Sequence, residues 1–327
     1  MITLITLATS ACKEGVKKYD WIPTECAPSD YPAQIYSGFV YYGNGKSIYI
    51  PDGRAIDYGW GEMGSVNVAG PDLKEAPDRI TVNWISYAEN QSYSGDFKLN
   101  RARIDSLFLA GYRDDSYNSG KPTYHWLKIG LAPGGFVVVW LTGINTQIEV
   151  GHFTAHKVAD FDWTRLYPGI DMQAHRKMVL TRLSSDTQKA ISESNIPFGY
   201  WNRLRKRYPL KIDFSEIPDF LEASIDYINK EQQHIYKDEN DKIGFEPLAP
   251  PAHIYVEWLD HLQQRLATEI WFDASELMTL FGQCAGQQIT VKLEVSETDK
   301  PPVPTLNVAG HLVATPKIKN KTYNKRD

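Results

Sequence analysis

Residues 76–84 read APDRITVNW, and residues 251–258 read PAHIYVEW. In each stretch Ile, Val and Trp occupy alternate positions, and polar or half-polar residues stand between them. A period of two places the three apolar side chains on one face of a β-strand. The repeated I-x-V-x-W pattern therefore predicts two equivalent strands, each with one face turned toward a core.

The similarity continues into the residues that follow. A second, less regular strand ends near Leu99 in the first copy and near Phe272 in the second, and a short helix comes next. Asn100 can cap the first helix, whereas Asp273 and Glu276 form a D-x-x-E capping box for the second. Both helices have an apolar stripe with i, i+3, i+4 spacing, which predicts a buried face on each. The stripes consist of Ile104, Leu107 and Phe108 in the first helix and of Leu277, Leu280 and Phe281 in the second.

Two further strands are predicted after each helix. In the first copy they span residues 126–131 and 136–141, and in the second they span residues 289–295 and 305–308 around a Pro-rich turn. Any two α+β halves can share such patterns, but the matching strand and helix together favour a duplication. We therefore predict an α+β fold of two related β-β-α-β-β units, with antiparallel sheets and short helices, joined by a helical segment.

The rest of the chain is assigned around these two units. Helical periodicity runs through Met178, Leu180, Leu183 and Ile191 between the copies, so this region is predicted to connect them. The expected organisation is a signal or lipobox remnant (1–12), a tether (13–30), the first α+β unit (31–165), a helical connector (166–245), the second α+β unit (246–310) and a basic tail (311–327).

Charge and composition exclude some classes of protein. The chain is 42% hydrophobic and 12% aromatic, which suffices for large cores and excludes general disorder. The net charge is −5, although the last residues are basic, so the body is acidic and does not fit a nucleic-acid binder. A basic run at Arg203, Arg205, Lys206 and Arg207 could bind anions or a membrane surface, but a solvated helix face is favoured.

The N-terminus resembles a secretory signal. Residues 1–11 read MITLITLATSA, an apolar run that ends in small residues directly before Cys12. This arrangement resembles the lipobox of bacterial lipoproteins, although Thr9 stands where Leu is usual and a basic start is missing. We expect a lipid on Cys12 and an anchored position in the periplasm, most naturally at the outer membrane. The alternative is a buried N-terminal strand with a chance cysteine.

Two cysteines remain if Cys12 carries lipid. Cys26 and Cys284 could form a disulfide in an oxidising periplasm, or they could be small buried hydrophobic residues in a reducing compartment. The chain has no C-x-x-C motif, and two distant cysteines do not make a zinc site. No metal or other cofactor is expected.

The sequence contains no motif typical of catalysis. It lacks the G-x-S-x-G elbow of serine hydrolases. His152 and His156 are four residues apart but in a strand-like context, where surface or packing histidines are the default. Pro133-Gly134-Gly135 lacks the Lys and Ser/Thr of a phosphate-binding loop and joins two strands, so it predicts a hairpin turn.

Several segments resemble the bacterial domain of unknown function 2931 (DUF2931) family. The resemblance covers roughly residues 20–295 and implies an envelope lipoprotein of Gram-negative bacteria. Some members of the family lie beside type VI secretion phospholipase effectors, which implies an immunity role. The segments are Trp84-Ile85-Ser86, residues 129–135, 138–143, 148–151, 196–201 and 207–209, and the second strand through Trp258.

Binding needs only a complementary surface, and aromatic anchors set among acids suit tight binding of a toxin. We predict a non-catalytic periplasmic immunity lipoprotein that binds and neutralises a phospholipase effector, with that toxin and the membrane as partners. A structural lipoprotein or an unrecognised envelope enzyme is the alternative. Two loops, 57–62 and 112–120, have the required composition, although ordinary exposed loops would look the same. The candidate partner-binding residues are Tyr58, Trp60, Glu62, Tyr112, Asp114, Asp115 and Tyr117.

Overall fold

A computed structural model describes residues 16–117, 120–159, 161–166, 168–295 and 300–325 of the chain. Within these residues β-strands dominate and the helices are short, which confirms the α+β class. No helix in the described ranges has the length and apolar character that a membrane span requires. Cys12 lies outside the described residues, so its lipidation stays a prediction.

The N-terminal unit (residues 19–157) consists of strands and one ten-residue helix. Its elements are β1 (Tyr19–Asp20), β2 (Ile22–Cys26), β3 (Ala33–Tyr42), β4 (Lys46–Tyr49), β5 (Leu73–Lys74), β6 (Pro77–Ser86), β7 (Gln91–Lys98), α1 (Arg101–Ala110), β8 (Trp126–Ala132), β9 (Phe136–Thr142), β10 (Gln147–Thr154) and β11 (His156–Lys157).

A helical region and the C-terminal unit (residues 208–324) follow. The helices between the units are α2 (Trp163–Leu166), α3 (Met172–Leu180), α4 (Ser185–Ser192) and α5 (Tyr200–Arg203). The C-terminal unit consists of β12 (Tyr208–Glu216), β13 (Phe220–Tyr227), β14 (Gln232–Tyr236), a 3₁₀ turn (Lys237–Lys242), β15 (Glu246–Leu248), β16 (Pro251–Leu259), β17 (Arg265–Phe272), α6 (Ala274–Gln283), β18 (Ile289–Glu294), β19 (Val303–Val308), β20 (His311–Ala314) and β21 (Ile318–Asn324).

One long sheet passes through both units, in the order β2-β8-β9-β10-β14-β13-β16-β17-β21. Its two parts meet where β10 pairs with β14 at Gln147 and Gln232. Each unit completes a sandwich with a second sheet, which is β11-β7-β6-β3-β4 in the N-terminal unit and β15-β12-β18-β19-β20 in the C-terminal unit.

The ladders follow the same pattern on both sides of this junction. In the N-terminal unit β3 pairs with β4 and β6, β6 pairs with β7, and β8 pairs with β9 and, in parallel, with β2. In the C-terminal unit β13 pairs with β14 and β16, β16 pairs with β17, and β18 pairs with β19 and, in parallel, with β12. Helices α1 and α6 stand at the same point in the two chain orders.

The alternating patterns form the strands that they predict. Ile80, Val82 and Trp84 of β6 are all buried, and so are their counterparts on β16. The predicted caps also form, because the side chains of Asn100 and Asp273 accept hydrogen bonds from the first turns of α1 and α6. The capping box is only half made, since the Glu276 carboxylate accepts from the backbone N–H of Lys317.

Strand β9 reads FVVVWLT without polar alternation because both of its faces are covered. Val137, Val139 and Leu141 pack into a core with Trp84 of the N-terminal unit. The opposite face contributes Val138 and Trp140 to a second core, which extends through the C-terminal unit. A strand buried on both faces reads as a continuous apolar run.

Three predicted segment boundaries are wrong. The expected tether (13–30) contains β1 and β2, and Trp21 between them is fully buried in the core of the N-terminal unit. The expected helical connector (166–245) is α-helical only to Arg203, and β12, β13 and β14 follow. Residues 311–327 were expected as a tail, but β20 and β21 form there, and β21 pairs with β17 from Leu266↔Asn324 to Phe272↔Ile318.

Candidate functional site

A groove lies along the junction between the two units. It consists of three adjoining cavities of about 350, 270 and 710 Å³. Glu246 and Leu248 line all three, so the cavities form one continuous depression. Concave surfaces of this size that join two bodies are the usual place for a binding site. We call this feature the junction groove.

Two ion pairs fix the wall of the junction groove. The guanidinium of Arg205 donates to both carboxylate oxygens of Glu149, at 2.8 and 2.7 Å. Arg207 lies 2.6 Å from Glu231 Oε2, and Glu231 also accepts a hydrogen bond from the backbone N–H of Glu149 at 3.0 Å. Because buried carboxylates require such partners, these contacts hold the facing strands of the two units in place.

The basic run at residues 203–207 is therefore more than the solvated helix face that its sequence favours. Arg205 and Arg207 turn toward the junction and pair with buried carboxylates. Arg203 and Lys206 instead lie over the rings of Tyr200 and Tyr208. The sequence could not reveal this division, because the acids that pair with Arg205 and Arg207 lie far from them in the chain, on β10 and in the turn before β14.

A polar network around Lys128 lies beside the groove. Lys128 Nζ donates to the Gly61 carbonyl at 2.5 Å and to Gln147 Oε1 at 2.6 Å. Gln147 Nε2 donates in turn to the Lys230 carbonyl at 2.5 Å, which carries the network into the C-terminal unit. Burial lowers the pKa of Lys128. The junction is thus held by hydrogen bonds as well as by ion pairs.

The loop that begins at Tyr112 reaches the mouth of the junction groove. Tyr112 lines the groove, and its hydroxyl accepts a hydrogen bond from the backbone N–H of Ile144 at 2.9 Å. Arg113 pairs with Asp115 through two 2.7 Å contacts and with Asp238 at 2.6 Å, so the loop is tied to the C-terminal unit. The hydrogen bonds from Arg113 lower the pKa of Asp115.

The remaining candidates of this loop are more exposed. Asp114 accepts hydrogen bonds from the backbone N–H and the hydroxyl of Ser116, which shapes the turn. Tyr117 is 47% exposed and is free to contact a partner. Residues 118 and 119 lie outside the described residues.

The second candidate loop, residues 57–62, divides between core and surface. Trp60 is only 7% exposed and packs against Trp140 with ring centroids 5.2 Å apart, so the structure corrects its prediction as a surface anchor. Glu62 is exposed and forms an ion pair with Lys230 at 3.1 Å across the junction. Tyr58 is exposed beside Ser65. The sequence of this glycine-rich loop does not show which of its aromatic side chains are buried, so it could not separate Trp60 from Tyr58.

Several residues of the groove were not predicted from the sequence. Lys98 and Arg103, from the N-terminal unit, line the largest of the three cavities. His234 and Glu246, from the C-terminal unit, line the cavity of about 350 Å³. They come from separate elements and form no local motif, so no sequence signal could have grouped them.

The two described cysteines are free thiols, and both are buried in the same core. The structure therefore does not contain the Cys26–Cys284 disulfide. Burial raises the pKa of Cys26 to about 12, which keeps it protonated and unreactive. Their interpretation as small buried hydrophobic residues fits this environment.

The described residues contain no group of three or more His, Cys, Asp or Glu side chains that could hold a metal ion. His152 lies 3.1 Å from Glu149 Oε1 and also contacts Arg205, beside the groove. His156 lies on the separate strand β11.

Comparison with known proteins identifies one family. The model of the family described as "Protein of unknown function (DUF2931)" matches residues 8–199. The match includes the N-terminal unit and helices α2 to α4, and it ends before α5. No curated protein and no solved structure is significantly similar to the chain.

Proposed function

The chain belongs to the DUF2931 family of proteins of unknown function, and on that premise we propose that it is a non-catalytic immunity lipoprotein. In this proposal it resides in the periplasm, anchored to the membrane, and neutralises a phospholipase effector of a type VI secretion system by direct binding. The junction groove is the surface that would receive the toxin.

The observation that carries this proposal is the fixed geometry of the junction groove. Its wall is set by the Arg205–Glu149 and Arg207–Glu231 pairs before any partner arrives. A surface that is already ordered loses less side-chain entropy on binding, so more of the contact energy appears as affinity. Complete protection requires a dissociation constant of nanomolar order, about −12 kcal/mol.

The mouth of the groove has the side chains that such affinity needs. Tyr112 lines the groove, and Tyr117 is exposed in the loop that follows it. Arg103, Arg113 and Glu246 add charges of both signs to the lining. Aromatic anchors near the centre of an interface carry most of the binding energy, while rim charges mainly set orientation and association rate. We therefore expect Tyr117→Ala to weaken toxin binding more than removal of any single acid in the same loop.

The test is co-expression in the periplasm with a phospholipase effector of a type VI secretion system, taken from beside the gene of this protein. Cells with the wild-type protein should survive, whereas Tyr117→Ala combined with Arg103→Glu should protect poorly and bind the purified toxin at least tenfold more weakly. Lys321→Glu, on β21 at the far edge of the long sheet, is the matched surface control and should protect fully.

The outcomes separate the function from the site. If cells die equally fast with and without the protein, and the purified pair does not bind, the immunity proposal is wrong. If the wild type and the groove variant protect equally, the toxin binds elsewhere on the surface.

The lipid anchor is the second part of the proposal. Lipid on Cys12 would hold the protein where a phospholipase acts and would raise its effective concentration there. Labelling with a fatty-acid probe should mark the wild type and leave Cys12→Ser unmarked. Equal labelling of both would contradict lipidation at this residue.

We also propose that the two β-β-α-β-β segments descend from one duplicated unit. The support is the shared ladder pattern, in which the parallel pairs β2·β8 and β12·β18 occupy equivalent places. The buried Trp84 and Trp258 stand at the same point of their respective strands, and α1 and α6 begin at equivalent polar caps.

A further inference from the structure

A separate cavity of about 390 Å³ lies between helix α3 and the loop that carries Arg54. None of its lining residues lines the junction groove. We call it the α3 pocket. Its size is within the range of about 300–1,000 Å³ that is typical of small-molecule sites.

Two arginines define the polar part of the α3 pocket. Arg54 comes from the loop after β4, and Arg182 comes from the turn after α3. Within the described ranges neither guanidinium has an ion-pair or hydrogen-bond partner. Asp57 is the acid that lines the pocket, so the charged lining has a net positive charge. Two arginines that converge on one cavity suit a carboxylate or phosphate group.

The lining also has an apolar side, part of which is exposed. Met172, Met178 and Val179 of α3 face the cavity together with Ile170. Ile170 is 50% exposed and Met178 is 47% exposed, which is unusual for apolar side chains that share one concave surface. Methionine side chains adapt to ligands of irregular shape because they are flexible and polarizable.

Hydrogen bonds hold α3 in position over the sheet. His175 Nε2 lies 3.0 Å from the Tyr87 hydroxyl. Arg176 donates to the carbonyls of Tyr87 at 2.7 Å and Ala88 at 3.2 Å. The apolar wall is therefore fixed relative to the turn between β6 and β7 that carries Tyr87, and the pocket exists before a ligand enters.

We propose that the α3 pocket binds a single-chain anionic amphiphile. Its carboxylate or phosphate head lies between Arg54 and Arg182, and its apolar chain lies along Met172, Met178 and Val179. A small hydrophilic anion would leave the methionine wall without a partner, and a neutral apolar compound would leave both arginines without one. This inference does not depend on the immunity proposal.

The test is calorimetric titration of the purified full chain with ligands kept below their critical micelle concentrations. At least one of decanoate and decyl phosphate should bind saturably, with one molecule per chain. If only one of them binds, its head group is the one that the pocket recognises. Decyl maltoside and decyltrimethylammonium have the same tail and should bind at least tenfold more weakly. Acetate and inorganic phosphate, which lack the tail, should also bind at least tenfold more weakly.

Variants locate the site. Arg54→Gln combined with Arg182→Gln should weaken binding of the anionic amphiphile at least tenfold, and Met178→Gln should weaken it several-fold. Arg203→Gln, an exposed arginine outside the pocket, is the matched control and should bind as the wild type does. Circular dichroism should confirm that each variant is folded.

Three results would overturn the proposal. The first is absence of saturable binding by both anionic amphiphiles. The second is equal binding of the cationic, neutral and anionic amphiphiles, which would mean that the arginines play no part. The third is unchanged affinity in the folded double arginine variant, which would place the ligand elsewhere.

Discussion

Glu25 of β2 is a buried carboxyl group whose surroundings do not fully compensate its charge. Glu25 is only 1% exposed, and its Oε1 accepts a hydrogen bond from the backbone N–H of Ser65 at 3.0 Å. Oε2 has no hydrogen-bond partner among the described residues. Burial therefore raises the pKa of Glu25 to about 7, against the smaller opposite effect of the Ser65 hydrogen bonds.

This raised pKa predicts that Glu25 contributes stability at acidic pH which is lost as the pH rises. Between the pKa of about 4.5 in the unfolded chain and about 7 in the folded protein, only the folded state holds the proton, so stability falls as pH rises through this window. Glu25→Gln should remove that part of the pH dependence and should raise the urea midpoint at pH 8. The free-energy change is of the order of 3 kcal/mol at most.

Urea titrations at pH 5 and pH 8 check this prediction. Glu62→Gln is the matched control, because Glu62 is exposed and pairs with Lys230 at the surface. An equal loss of stability from pH 5 to pH 8 in wild type and Glu25→Gln would show that Glu25 is ionised at little cost in the folded protein.

At the scale of elements, the helices depend on their caps. The Asp273 side chain accepts from the backbone N–H of Glu276 at 2.9 Å at the start of α6. Asp273→Ala should destabilise the protein by about 1 kcal/mol, because a backbone donor in the first turn loses its partner. Asp273→Asn keeps an acceptor and should cost much less. Thermal unfolding of the two variants measures the difference, and equal losses would mean that the negative charge, rather than the cap hydrogen bond, matters.

The sequence predicted those elements whose patterns depend on near neighbours in the chain. The alternation in β6 and β16 and the stripes and caps of α1 and α6 all appear where expected. Prediction failed where distant pairing decides the structure. Strand β21 reads as a basic tail because, as an edge strand, it is largely exposed and is stabilised by its ladder with β17.

The candidate site follows the same rule. The sequence identified the loop at Tyr112, which does reach the junction groove, because its composition is visible locally. It could not pair Arg205 with Glu149 or Arg207 with Glu231, since each contact joins residues that are far apart in the chain and meet only in the fold. It also assigned Trp60 to the surface, although the rings of Trp140 and Trp201 surround it.

At the scale of the whole molecule, β21 closes one edge of the long sheet and compensates a buried charge. Glu257 of β16 is fully buried and interacts with Lys325, Tyr255 and Arg265. Although burial alone would raise the pKa of Glu257, these partners hold it below its usual value. Lys325 follows directly after β21, so the pairing of this strand places the Lys325 ammonium group beside Glu257.

Removal of residues 316–327 should therefore weaken the whole C-terminal unit. The deletion exposes the edge of β17 and leaves Glu257 without Lys325, so we expect a loss of several kcal/mol and concentration-dependent association through the free edge. Thermal unfolding and light scattering measure the two effects. Lys325→Met should show the loss of stability without the association, and Lys321→Ala, an exposed change on the same strand, should behave as the wild type. A deletion variant that stays monomeric and equally stable would contradict this role.

The parallel pairs that open each unit also determine when the chain can fold. β2 finds its partner β8 only after β3 to β7 and α1, as in the pair Ile22↔Trp126, and β12 must likewise wait for β18. Closing such long loops costs chain entropy before the new contacts stabilise the structure. Non-local parallel pairing is therefore slow. Neither unit can complete its sandwich until nearly all of its own sequence has been synthesised. β2 therefore lacks its ladder partner during most of the synthesis of its unit, whereas β12 can pair earlier with β15 on its other edge. Refolding should take milliseconds to seconds or longer.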